Sequence, residues 1–413
     1  MSDSISPGDG GRQGTIQAGR YLWIVLPLTT GAIFAQGLMR QGLPVLYPFI
    51  QSEFGLSRAQ IGLITSAQAI GFSAVVALAG WLTDILGVKR IITIALLSLT
   101  AFILAFPLAY SFVVILALAV FMGIVTSPIH PSTTLAIMDW FPVRIRALAM
   151  SIKQMGIPIA GTVTAAILPA LAIVIGWRMA AAVTGLLVLA IAISFIMLYH
   201  NAPRGIPTVH KFNLDTLKTM LRKRCLVATI IWGAILVGFQ FTVVSYFMLF
   251  MIEELGLSPI TAGVLLAIAQ VSSMVTRVLW GAASDFIFQG RRMVVLAITG
   301  FITVLWMLGA SLTSVGVPSI TVYLLAIAIG ISTLAFHGVF ITLIGEQAEP
   351  GQVGVTIGVA SMVNHATQVV MPPLFGYLVD ISNSYSLVWR LAAAVVLACT
   401  LALLTFGKEP QRP

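Results

Sequence analysis

Residues 56–90 read LSRAQIGLITSAQAIGFSAVVALAGWLTDILGVKR, and residues 257–292 read LSPITAGVLLAIAQVSSMVTRVLWGAASDFIFQGRR. Four landmarks recur in them: Leu56-Ser57 with Leu257-Ser258, Gly62 with Gly263, Gly80 with Gly281, and Asp84 with Asp285, each pair offset by 201 positions. Between its landmarks each stretch is an apolar run long enough to cross a bilayer, for which about 20 residues suffice. A register held over that distance points to duplication of a whole unit. Trp177-Arg178 and Trp389-Arg390, each opening the last long apolar run of a half, make that unit a bundle of about six helices.

The rest of the chain has the same character. Of 413 residues, 59% are hydrophobic and 8% charged, whereas a water-soluble domain carries roughly a quarter charged residues. Charges and turn residues cut the sequence into apolar segments near 21–50, 58–83, 90–109, 112–138, 147–172, 177–200, 224–252, 259–284, 292–313, 318–345, 353–379 and 387–406. The run from 91 to 138 holds no Asp, Glu, Lys or Arg, and Pro107 and Ser111 mark its hairpin. The expected fold is an all-α membrane protein of twelve transmembrane helices in two pseudo-repeated bundles, residues 21–200 and 224–406. A cytoplasmic linker, 201–223, with an amphipathic turn around 212–221, joins them, and tails 1–20 and 407–413 flank them.

The formal charge of +9 is a matter of orientation and does not imply nucleic acid. With a cytoplasmic N-terminus, sixteen Lys and Arg fall in cytoplasmic segments and only Arg58, Arg178 and Arg390 in outer loops. That bias places both termini inside. The polar start, with Arg12 and Arg20 and no apolar core before them, reads as a tail and not as a cleaved signal peptide. Cys225 and Cys399 form no disulfide framework or metal-ligand spacing. No cofactor is expected.

The segment Gly80-Trp81-Leu82-Thr83-Asp84-Ile85-Leu86-Gly87-Val88-Lys89-Arg90 resembles the loop between helices two and three of the major facilitator superfamily. Gly281, Asp285, Gly290, Arg291 and Arg292 echo it where that superfamily repeats the motif. Gly80 permits close helix approach, Asp84 can cap a neighbouring helix end, and Lys89 and Arg90 suit an anionic inner leaflet. The resemblance implies a gating role for Gly80, Asp84, Lys89, Arg90, Asp285 and Arg291, at the membrane surface and away from substrate. Arg40, Pro44 and the following Gln51-Ser52-Glu53-Phe54-Gly55-Leu56-Ser57 are similar to the anion:cation symporter branch. Arg277 resembles a basic residue of monocarboxylate porters and oxalate/formate exchangers, and residues 153–158 resemble cyanate-permease-like relatives. Met39 stands where that symporter branch usually has an acid beside the first-helix arginine.

Three cations, Arg40, Lys153 and Arg277, fall inside expected helices, while all thirteen acids lie in tails, loops or helix ends. A cation at a helix centre costs roughly 2.5–3.5 kcal/mol, so it must face a wet cavity, a partner or an anion. Arg40 lies roughly 20 Å from the outer end of its helix and Arg277 roughly 12 Å from the inner surface, by helical rise. One arginine from each half suits an anion that bridges the bundles; the structural alternative is an arginine satisfied by carbonyls. Lys153 either adds a third anchor or snorkels to the surface. His130, His337 and His365 are the buried groups able to carry a coupling proton near neutral pH, or are neutral hydrogen bonders between helices. Phe336 and Phe340 supply a pocket wall for His337. Gln36, Gln154, Gln240, Asn364 and Gln368 can orient a carboxylate or hydroxyl, and Tyr47, Phe241, Tyr246 and Phe247 can line the site. No His pair has metal-ligand spacing.

The expected function is secondary active transport of a small organic anion, a carboxylate, across the bacterial inner (plasma) membrane by a single chain, as proton-coupled uptake. An anion exchanger or a proton-driven exporter is the alternative, with a non-transporting membrane sensor further off. A membrane-embedded enzyme would need a nucleophile, base or metal constellation that scattered histidines do not make.

Overall fold

The computed structural model describes residues 10–202, 223–349 and 352–407, apart from the side chains of 10–20, 77, 80, 81, 84, 143 and 147. The expected amphipathic turn at 212–221 and the gating side chains of Gly80 and Asp84 lie outside the described residues. All regular structure described is helical. In chain order the α-helices are α1 (Gly10–Val45), α2 (Tyr47–Phe54), α3 (Arg58–Leu86), α4 (Val88–Ala105), α5 (Phe112–Thr126), α6 (Ile129–Trp140), α7 (Val143–Gln154), α8 (Gly156–Ile175), α9 (Trp177–Leu198), α10 (Arg224–Glu253), α11 (Pro259–Ala282), α12 (Arg292–Ala310), α13 (Ser319–Ile331), α14 (His337–Gln347), α15 (Val353–Ser382) and α16 (Tyr385–Phe406).

Eleven of the twelve expected spans coincide with helical stretches long and apolar enough to cross a membrane. The tenth, 318–345, is instead two shorter helices, α13 and α14, separated by turns at 332–336. The fourth span is likewise broken, between α5 and α6 at Ser127-Pro128, because proline cannot donate the next helical hydrogen bond. Hydropathy runs through both breaks, so it reports neither.

The repeated Gly-Leu-Ser has a local explanation. Gly55 (φ 61°) and Gly256 (φ 66°) take left-handed backbone that ordinary side chains resist. Two residues later a serine caps the next helix: Ser57 Oγ accepts from Gln60 N at 3.2 Å, and Ser258 Oγ from Thr261 N at 3.1 Å. The amide of Ser57 donates back to Gln60 Oε1 at 2.8 Å, closing a capping box. Each half therefore turns and restarts a spanning helix by the same device.

The two halves meet chiefly through α3 against α15 and α11 against α8. The repeated glycines Gly62 and Gly263 sit in these two seams. A Cβ on Gly62 would fall 2.5 Å from Pro373 N, and one on Gly263 would fall 2.3 Å from Ala165 O. Helix backbones approach this closely only where side chains are absent. Both seams lie toward the end of the molecule that carries Arg58. Toward the opposite end, carrying Arg292, hydrogens replaceable by a methyl at Gly281, Gly338, Gly354 and Gly358 face open space.

Candidate functional site

Between the bundles α1 presents Arg40 to both halves. Its guanidinium lies over Phe72 of α3 (5.3 Å to the ring centroid) and Phe241 of α10 (4.8 Å), and Nη2 donates to Gln368 Oε1 of α15 at 3.2 Å. An arginine over aromatic faces in a desolvated setting gains about 2 kcal/mol, comparable with the cost of placing it there. A small cavity adjoins it, lined by Arg40, Thr65, Gln68, Phe72, Phe241, Ser245 and Gln368 among others. Its space for a water centre is about 20 Å³, enough for one water and not for an organic solute.

Around that cavity the expected residues converge. His130, at the start of α6, is within electrostatic reach of Lys153, Arg40 and His337. His337, at the start of α14, is within reach of Arg277, Arg40 and His365. Both histidines therefore follow the breaks in the fourth and tenth spans, one in each half. Gln154 Nε2 and His130 Nε2 are 3.0 Å apart. Lys153 is 1% exposed, and its Nζ donates to Thr134 Oγ1 at 2.7 Å. His365 lies tilted against Phe72 (5.2 Å between centroids), while its Nδ1 and the Oδ1 of neighbouring Asn364 are buried without a hydrogen-bond partner among the described residues. His337 lies between Phe336 and Phe340, at 6.1 Å from each, yet is exposed, as is Gln154. Residues at the centre of the fold are thus accessible from one side, and among the described residues the charged groups acting on the three histidines are basic.

Arg277 is placed differently from Arg40. Its Nε and Nη2 donate to Leu334 O at 3.2 and 2.9 Å, joined there by Ser273 Oγ at 3.0 Å; Trp280 Nε1 donates to Ile331 O at 2.7 Å. Helix α11 thereby satisfies the carbonyls freed by the break between α13 and α14, as irregular backbone at membrane depth requires. Gln36 does the same for the other break, donating from Nε2 to Thr126 O at 3.1 Å. Arg277 holds the turn that carries His337 while remaining near the cleft.

At the Arg58 end the bundles are fastened by charge. Arg58 Nε meets Glu253 Oε2 at 2.8 Å, and Arg58 Nη1 lies 3.6 Å from Asp380 Oδ1. Asp380 also accepts from the backbone N–H of Arg58 (3.0 Å) and Ala59 (2.8 Å), so a carboxylate of one half caps the helix of the other. Tyr385 OH donates to Glu253 at 2.8 Å, and Tyr246 OH to Arg58 O at 2.6 Å. Tyr246 is therefore part of this fastening, not of the cavity lining. Thr65 and Ser245 hydroxyls meet across the halves at 2.8 Å just beneath. None of Arg58, Glu253, Asp380 and Tyr385 stood out in the sequence; the signal was that Arg58 is one of only three cations at the expected outer ends.

Of the expected gating residues at the other end, Asp285 pairs at 2.8 Å with Arg292, which also meets Glu346 at 2.8 Å. The neighbouring Arg291 makes no ion pair among the described residues. The backbone N–H of Lys89 donates to Asn201 Oδ1 at 2.8 Å, and Arg90 is exposed.

The family model of the Major Facilitator Superfamily matches residues 29–313 and 230–413. The hexuronate transporter of Bacillus subtilis (strain 168) is 23% identical over 386 residues, 89% of this chain and 90% of its own. The probable galactarate/D-glucarate transporter GarP of Escherichia coli (strain K12) is 22% identical over 415 residues, 92% of each. Among solved structures, a D-xylose-proton symporter superposes with a TM-score of 0.76 at 18% identity, covering 95% of this chain and 99% of its own. An inward-facing bacterial homologue of the lysosomal transporter Spinster gives 0.76 at 17%, covering 95% and 99%.

Proposed function

The chain belongs to the major facilitator superfamily, a membrane transporter and not an enzyme, and from that premise we propose that it takes up a hydroxylated organic acid by alternating access. The observation that carries this reading is the setting of Arg40: a guanidinium between bundles, over Phe72 and Phe241, in a cleft whose other charges are basic. A cationic cargo would be repelled there, and a neutral one would leave the cations uncompensated. The relatives named for hexuronate and for galactarate/D-glucarate support an acid sugar as the cargo.

The broken tenth segment counts as a span in this reading, so twelve spans form two six-helix bundles with both termini in the cytoplasm of a bacterium. The Arg58 end then faces outward and is closed, and the exposed side of His337 faces inward. Both walls of the cleft come from one chain, so a monomer suffices. Uptake against a negative interior calls for a compensating cation, and His130, His337 and His365 are the bases proposed to carry a proton. Asp285 with Arg292, and Asp84 with its loop, guard the inner face.

Proteoliposome uptake of radiolabelled D-galacturonate and D-glucarate under an imposed proton gradient tests this. Arg40→Ala is expected to cut uptake by roughly 30-fold or more, the effect of removing a charged hydrogen bond worth about 2–3 kcal/mol. Equal uptake by wild type and variant would overturn the assignment. Transport only when the anion is also present inside, indifferent to the proton gradient, would make the protein an exchanger.

A further inference from the structure

We infer that Lys153 is a specificity residue: it binds a second carboxylate, so that the cleft prefers a diacid to a monoacid with the same carbon skeleton. The inference rests on the organic-anion reading above and sharpens it.

All three cations of the cleft keep side-chain N–H groups, but one of them is already committed to the backbone. Arg277 has Nε and Nη2 on Leu334 O and serves the turn. Arg40 gives one N–H to Gln368. Lys153 gives one to Thr134 Oγ1, whose own proton goes to His130 O at 2.9 Å, so the hydroxyl can only accept from the amine. An ammonium carries three donors; two remain, on a side chain 1% exposed.

Among the described residues no carboxylate pairs with that charge. Helix α6, packed against α7, brings His130 and, at its far exposed end, Asp139; α1 brings Arg40; α8 brings no titratable group; α7 itself carries Arg144 and Arg146 toward its start. His337 stands across the cleft, within reach of His130. A monoanion on Arg40 would leave Lys153 uncompensated in a poorly hydrated setting. A dianion compensates both, and buried charges favour such pairing.

The spacing suits two carboxylates set apart along a chain better than two charges on one group. Helices α1 and α8 run side by side in the same direction: a Cβ on Gly156 would lie 2.7 Å from Thr30 O and 2.8 Å from Phe34 N, and one on Gly42 2.9 Å from Thr164 Cγ2. Lys153 is three residues before Gly156 and Arg40 six after Phe34, on opposite sides of that contact. Their backbone levels therefore differ by about 15 Å. Both cations nevertheless act on His130, and His130 and Gln154, 3.0 Å apart, stand between them as hydrogen-bonding groups for hydroxyls.

Binding of galactarate, D-galacturonate and D-galactonate to the purified full-length protein, by calorimetry in one buffer, tests this with ligands that share six carbons and differ in their ends. Wild type is expected to bind galactarate about ten-fold or more tightly than either monoacid. Lys153→Gln should bring galactarate down to the monoacids while moving the monoacids little, and Lys153→Arg should keep the preference. A wild type that binds the monoacids as well as the diacid, or a Lys153→Gln protein that keeps the full preference, overturns the inference. If Lys153→Gln does not fold, the wild-type ratio and Lys153→Arg decide it. Binding of the monoacids with no diacid preference refutes this inference alone, whereas no binding of any of the three refutes the anion reading with it.

Discussion

The two halves carry acids at the same place, at the Arg58 end of their first spanning segment, and use them differently. In the first half Glu53 stays at home: Arg178 Nη2 meets its Oε1 at 2.6 Å and Trp177 Nε1 its Oε2 at 2.5 Å. Arg178 also lies over Phe54, Tyr110 and Trp177 and donates to the carbonyls of Pro107 and Ala109. In the second half Glu253 turns to Arg58 of the other bundle, and the repeated arginine, Arg390, instead donates to Ser311 Oγ at 3.4 Å. Duplication preserved the glycines of the seam, Gly62 and Gly263, in equivalent roles, while the charges diverged. One bundle is tied to itself and the other is tied across, so the shared backbone makes the closure possible and the unshared charges make it selective for one end.

The strongest way to break this comparison is to fill the seam. Gly62→Val or Gly263→Val would drive a side chain into backbone that lies 2.5 Å or 2.3 Å from the new Cβ, and overpacking of this kind costs about 1–3 kcal/mol. Each variant is expected to lose most transport and, by double electron–electron resonance between spin labels on the two halves, to show the Arg58 end spread apart. Equal effects from both glycines would affirm that the seam is symmetric.

A smaller effect is expected from the fastening. Asp380→Ala removes a helix cap worth about 1 kcal/mol together with the Arg58 contact, and should raise the population open at that end about five- to ten-fold in the same measurement. Glu253→Gln should act in the same direction but more weakly, since the pair is partly solvated. Glu53→Gln should not move that population, because its partners are in its own bundle. A shift as large as that of Asp380→Ala would erase the distinction drawn here.

The smallest effect concerns pH. The Arg178 hydrogen bond is the chief cause holding the Glu53 carboxyl below its usual range, with burial opposing it. A lowered folded value contributes stability that is present above the unfolded value, near 4.3, and is lost as pH falls through the folded one. Thermal midpoints of wild type and Glu53→Gln should therefore differ slightly at pH 7 and merge in acid. The difference is small because the carboxylate is 44% exposed.

Much of this was legible in the chain because it follows from composition summed over long windows. Apolar runs mark the spans, and counting thirteen acids, all outside the helix centres, marks the cleft as basic. Arg40, His130, Lys153 and His337 were singled out from that count, and they lie together. Phe72 and Thr134 were not, since an aromatic ring or a hydroxyl in an apolar helix looks the same whether it packs or receives a cation. Nor was the fastening, whose partners are 195 and 322 residues apart and acquire meaning only once α3 docks on α15. Arg277 shows the limit most clearly: the atom it holds is a backbone oxygen, and no side-chain pattern announces a carbonyl left free by a broken helix.

The one-sided fastening also bears on kinetics. On the alternating-access cycle proposed above, an empty carrier must undo Arg58 from Glu253 and Asp380 with no cargo to offset the lost contacts, so the return of the unloaded form is the expected slow leg. Counterflow, in which a loaded carrier crosses in both directions, should then outrun net uptake, and loosening Asp380 should narrow the gap between the two rates.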